Sequence, residues 1–61
     1  MIEEGKLYRV KKNWLDVISI GDILVCLSDT RLRILKGKWI GRNVSCSKEE
    51  AQREYFEEII D

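Results

Sequence analysis

The side chains with chemistry to offer are cations interleaved with tryptophan. Arg9, Lys11, Arg31, Arg33, Lys36, Lys38 and Arg42 lie in the first two thirds of the chain, with Trp14 and Trp39 among them. Phosphates need cations, and nucleobases stack on aromatic rings, so this combination is what a single-stranded nucleic-acid surface requires. Exposed tryptophans also anchor protein interfaces, and for a protein partner Trp14 or Trp39 is expected to matter more than Arg31 or Arg33. The charge distribution sharpens the question. The 61 residues carry 11 basic and 11 acidic side chains and no net charge. Residues 5–48, however, hold ten basic against three acidic residues, a net +7, while residues 49–61 hold one against six, a net −5. The plainer reading is that the acidic tail neutralises a basic surface internally and the tryptophans fill the core. Zero net charge favours it, because nucleic-acid-binding domains are basic overall.

Catalytic readings find little support. With no histidine in the chain, neither a Ser–His–Asp triad nor a Cys–His pair can be built. Cys26 and Cys46 have neither the CxxC spacing nor the partner ligands of a zinc site. Cys26 sits in the most apolar segment, where burial makes a thiol inert. Both cysteines read as small apolar residues kept reduced. Asp16, Asp22 and Asp29 are explained by turn chemistry. No phosphate-binding glycine loop is present. The expectation is a non-enzymatic protein without metal or cofactor.

The elements that position these residues are organised around Ile23–Leu27, five apolar residues between Gly21-Asp22 and Ser28-Asp29-Thr30. That is strand length, and β-branched residues favour strands. Ile23, Val25 and Leu27 face one way, and Leu24 and Cys26 the other. A strand apolar on both faces belongs at the centre of a sheet. Upstream, Lys6–Lys12 alternates with Tyr8 and Val10 inward and Leu7, Arg9 and Lys11 outward. Trp14–Ile20 then forms an excursion expected to lay Leu15, Val17 and Ile20 on the sheet. Gly21 is open to positive φ, and Asp22 is suited to bonding local amides. Downstream, Arg31–Lys36 alternates with Leu32 and Ile34 inward. Gly37 marks a turn or bulge, and Gly41-Arg42-Asn43 a second turn. Strands are expected at about 6–12, 22–28, 31–36, 38–40 and 44–46. Their short connections demand antiparallel pairing.

At Ser47 the period changes. Ser47-Lys48-Glu49-Glu50 fits a capping box, with Ser47 as N-cap and Glu50 reaching back. Ala51, Tyr55 and Ile59 make an apolar stripe flanked by Phe56 and Ile60, opposite Glu54, Glu57 and Glu58. The spacing predicts one amphipathic helix over about 48–60, which needs the sheet to dock on.

The order of elements is strand, excursion, three or four closely spaced strands and a helix, with Gly21-Asp22 opening the central strand. It resembles the SH3-like barrel. The resemblance covers roughly residues 5–47 and is one of element order. It implies a mainly β single domain, a small SH3-like antiparallel barrel of four or five short strands carrying one C-terminal helix. Small barrels of this type are frequent among short bacterial and bacteriophage proteins. They bind peptides, nucleic acids and other proteins, so the fold transfers no single function.

The expected function is a small binding or regulatory module that engages a host or cognate protein, with single-stranded DNA or RNA binding as the alternative. Arg9, Lys11, Trp14, Arg31, Arg33, Lys36, Lys38, Trp39 and Arg42 form the candidate surface. A homodimer is a further option, since a short final strand leaves a sheet edge. No apolar run approaches the length of a membrane span, and the acidic start, Met1-Ile2-Glu3-Glu4, is unlike a signal peptide. The expectation is therefore a cytoplasmic protein, in the host cytoplasm if phage-encoded.

Overall fold

The computed structural model describes residues 1–60; Asp61, counted above in the C-terminal charge, lies outside them. Strands β1 (Leu7–Val10), β2 (Ile23–Ser28), β3 (Arg31–Lys36) and β4 (Asn43–Ser45) are followed by helix α1 (Glu49–Tyr55) and strand β5 (Phe56–Glu58). All pairings are antiparallel, in the order β4-β3-β2-β1-β5. Ile23–Ser28 is the central strand, as its two apolar faces predict. The sheet is open. Its edges are β4 and β5, and among the described residues no pairing joins them.

Alternation places one side chain in two from each strand in a single core. Tyr8 and Val10, Leu24 and Cys26, Leu32 and Ile34, Val44 and Phe56 are buried together with Ile2 and Ile18. Two bulges shape this sheet. Ile23 pairs with Lys36 while Leu24 pairs with Ile34, which leaves Leu35 as the extra residue. Ser28 pairs with Arg31 while Cys26 pairs with Leu32, which leaves Leu27 unpaired. Bulges bend a strand and increase its twist, which helps a small sheet wrap around its core.

Four expectations are corrected here. Residues 38–40 are not a strand. Gly41 N–H donates to the Ile34 carbonyl, Ile34 N–H to the Arg42 carbonyl and Arg42 N–H to the Trp39 carbonyl, so Gly37–Arg42 closes as a compact loop between β3 and β4. The helix stops at Tyr55 rather than continuing to residue 60. The free edge of β1 is the reason. It takes Phe56–Glu58 as a fifth strand, with Lys11 N–H donating to the Tyr55 carbonyl and Ile59 N–H to the Leu7 carbonyl. Pairing this edge satisfies backbone groups that a longer helix would leave open. The capping box is not formed. Lys48 is the N-cap and makes no side-chain cap bond. Within the excursion, Leu15 and Ile20 are exposed and Val17 only packs on the core margin, while Ile18 is the residue that enters the core.

The excursion is held by local bonds. Asp22 Oδ2 accepts from Ser19 N–H at 2.9 Å, Asn13 Oδ1 accepts from Ile20 N–H at 2.8 Å, and Gly21 N–H donates to the Val10 carbonyl. Gly21 has φ +95°, the conformation the sequence reserved for it. Among the described residues no helix is long and apolar enough to cross a membrane.

Candidate functional site

Covering the core leaves the other face of the sheet bare. Leu7 on β1, Ile23 and Val25 on β2 and the bulge residues Leu27 and Leu35 alternate away from the buried set. Leu7 and Leu35 are 41% and 46% exposed, and the three β2 residues are half-buried. The register builds cross-strand rows. Leu7 lies beside Val25, and Val25 beside Arg33, which lies beside Asn43. Glu57 lies beside Arg9, and Arg9 beside Ile23. The outer face is thus an aliphatic stripe along β2 bordered by arginines.

These cations are not neutralised internally. Three carboxylates of the C-terminal segment are engaged elsewhere. Glu49 meets Arg53 and the N-terminal amine, Glu54 meets Lys12, and Glu58 meets Lys6. Lys6 and Lys12 have their ammonium pKa raised as a result, Lys6 mainly by the Glu3 and Glu58 charges and Lys12 mainly by its hydrogen bond to Glu54. Among the described residues, Arg9, Arg31, Arg33, Lys36 and Arg42 have no carboxylate within 4.0 Å. Helix α1 packs on the core side, away from the cations of β3, while Glu57 on β5 lies directly across from Arg9 on the outer face.

At one end of the sheet, the excursion and the β3–β4 loop meet. Trp39 Nε1 donates to the Asp16 carbonyl at 2.7 Å, and Lys38 Nζ lies 3.0 Å from the Asp16 carboxylate. Arg42 and Lys38 sit over the Trp39 ring, 5.1 and 5.7 Å from its centroid, within cation–π range. Asp16, Val17, Trp39, Arg42 and Asn43 line a shallow cleft of about 380 Å³. Asn43 joins it to the outer face, because its Oδ1 accepts from Arg33 Nε at 3.2 Å.

The nine residues singled out from the sequence therefore separate. Arg9, Arg31, Arg33 and Lys36 share the outer face. Lys38, Trp39 and Arg42 form the adjoining loop cleft. Lys11 stands exposed past the end of β1, beside the end of α1. Trp14 lies apart. It lines a small apolar cavity of about 130 Å³ with Ile18, Val44, Cys46, Tyr55 and Phe56, on the core side between α1 and β4. Both tryptophans are partly exposed, at 36% and 38%, and neither belongs to the buried core. No family model, curated protein sequence or solved structure matches the chain.

The outer-face leucines were not among the residues singled out. Their signal was nonetheless present, since a central strand apolar on both sides must leave one side open when a single short helix is the only cover. Chemically the described residues hold no cluster of three or more potential metal-ligating side chains. Burial pushes both thiols up from their ordinary range, Cys26 within the core and Cys46 at its margin.

Proposed function

We propose that this chain is a non-enzymatic protein-interaction module that engages its partner with the outer face of the sheet and the adjoining Trp39 cleft. One observation carries the reading: an aliphatic stripe, Leu7, Ile23, Val25, Leu27 and Leu35, bordered by cations that have no carboxylate within 4.0 Å among the described residues. An apolar centre with a charged rim is the anatomy of a protein interface. A single-stranded nucleic-acid surface instead needs aromatic platforms between its cations. The stripe is aliphatic, and the Trp39 ring already carries Arg42 and Lys38. The SH3-like resemblance belongs to this proposal too. Element order supports it, and closure into a barrel would require α1 and the excursion to bridge the seam between β4 and β5.

The reading is tested by affinity enrichment from nuclease-treated extract of cells expressing the chain. Partners retained at about 200 mM salt by the wild type, and lost with both Val25→Glu and Arg33→Glu, are expected. Partners retained from untreated extract but lost from nuclease-treated extract would transfer the face to nucleic acid. Retention indifferent to both substitutions would place the interface elsewhere.

A further inference from the structure

Resting on that reading, we infer that the partner presents an amphipathic α-helix with acidic residues four apart along one flank, lying along β2. The dimensions of the face select this shape. Ile23 to Leu27 spans about 13 Å at strand rise, and two helical turns span about 11 Å. Leu7 on β1 and Leu35 on β3 widen the stripe across three strands, about 10 Å, which is the diameter of a helix. An added extended strand would cover only about 5 Å of that width.

The charges select the sequence pattern. Arg31 and Arg33 stand on the β3 flank one strand repeat apart, about 6.6 Å, with Lys36 beyond them past the Leu35 bulge. Carboxylates at i and i+4 of a helix are spaced about 6 Å along its axis, so two of them meet the two guanidiniums in step. Arg33 is held for this by Asn43 Oδ1 on its Nε, leaving its two terminal amines to form the paired bonds that a carboxylate accepts. The helix comes from another protein. This chain's own α1 packs its Gln52 on the core side of the sheet.

The probe is an 18-residue helical peptide with leucines at i, i+3, i+4 and i+7 and glutamates at i and i+4 on one flank. Its control has the same composition with the glutamates moved to the solvent side. Titration followed by ¹H–¹⁵N spectra should shift amides at residues 7, 23–27 and 31–36 saturably. The flanked peptide should bind about tenfold more tightly than its control, and Arg31→Glu or Arg33→Glu should abolish that difference. Equal affinity of the two peptides, or shifts centred elsewhere, overturns the inference. A twelve-nucleotide oligothymidine that shifts the same amides at lower concentration would give the face to nucleic acid instead. If neither peptide binds while nuclease-resistant partners still depend on Val25 and Arg33, the helix falls and the protein-binding face stands.

Discussion

The side-chain amide of Gln52 donates to the Cys46 carbonyl at 2.6 Å, tying α1 to the end of β4. The same nitrogen reaches the Asp29 carbonyl at 2.8 Å, and Gln52 Oε1 accepts from Ile2 N–H at 2.8 Å. One buried polar side chain, 2% exposed, thus fastens the N-terminal segment, the β2–β3 turn and the β4 edge to the helix. It stands in the interior with its hydrogen-bonding atoms engaged, the condition under which a buried amide is tolerated.

Gln52→Leu should therefore be severely destabilising, although its volume is similar. A buried amide and two part-buried carbonyls lose their partner, at up to about 1–3 kcal/mol each, against a net stability of about 3–5 kcal/mol for a chain this small. Urea unfolding should show a mostly unfolded variant. Gln52→Glu keeps the acceptor for Ile2 but faces two carbonyl oxygens with a carboxylate, so its acid form is favoured in the fold. A carboxyl with a raised folded pKa contributes most below its unfolded pKa and loses that contribution as pH rises through the folded one. The Gln52→Glu variant should melt higher at pH 4 than at pH 7, relative to wild type.

The thiols give a second pH dependence. Burial raises both pKa values above the ordinary 9.0, so unfolded chains ionise first. Their contribution is complete at neutral pH and declines as pH rises above about 9 toward the folded values. Cys46, at the core margin, should alkylate before Cys26, which is buried. Mass spectrometry after brief iodoacetamide treatment at pH 8 checks the order; equal rates would mean that Cys26 is not held in the core.

Gly37 should resist replacement. Its φ is +148°, and an added Cβ would meet Asp22 Oδ2 at 2.5 Å, the atom that accepts from Ser19 N–H. Gly37→Ala is expected to cost about 1–3 kcal/mol in backbone strain and displacement of that carboxylate. Because the two residues collide, Gly37→Ala combined with Asp22→Ala should cost less than the sum of the single changes. Thermal melts of the four species close the cycle.

Loop-end contacts should matter to binding more than to folding. Lys38 and Asp16 are 62% and 90% exposed at the side chain, and exposed pairs contribute at most about 1 kcal/mol. Lys38→Ala should leave the melting curve nearly unchanged. Trp39→Ala should remove about 2 kcal/mol or more of partner affinity, as interface tryptophans do, with little loss of stability. A large drop in melting temperature would show that Trp39 is structural.

Much of this could be read from the chain alone. Period-two alternation at Leu7–Val10 and Arg31–Lys36 placed Tyr8, Val10, Leu32 and Ile34 inside, because alternation is a local consequence of strand geometry. The doubly apolar Ile23–Leu27 marked the centre of the sheet. Gly21 and Asp22 marked the turn before it. The separation of basic from acidic segments was plain from composition, and in three dimensions the β3 cations stay clear of the helix carboxylates while Glu57 of β5 lies across from Arg9.

What tertiary structure decided was wherever two local solutions competed. Phe56–Glu58 suits a helix by period and a strand by composition, and only the vacant edge of β1 turns it into β5. Trp39 and Ile40 resemble a strand until Gly37 and Gly41 fold them into a loop pinned to Asp16, 23 positions away in sequence. Gln52, one polar residue on an ordinary helix face, became the fastening of three segments because those segments converge on it. Alternation and turn chemistry depend on neighbours in the chain, so the sequence by itself determined the strands and their inward faces. Edge pairing, face coverage and the meeting of distant loops depend on neighbours in space, and these decided which surface was left uncovered.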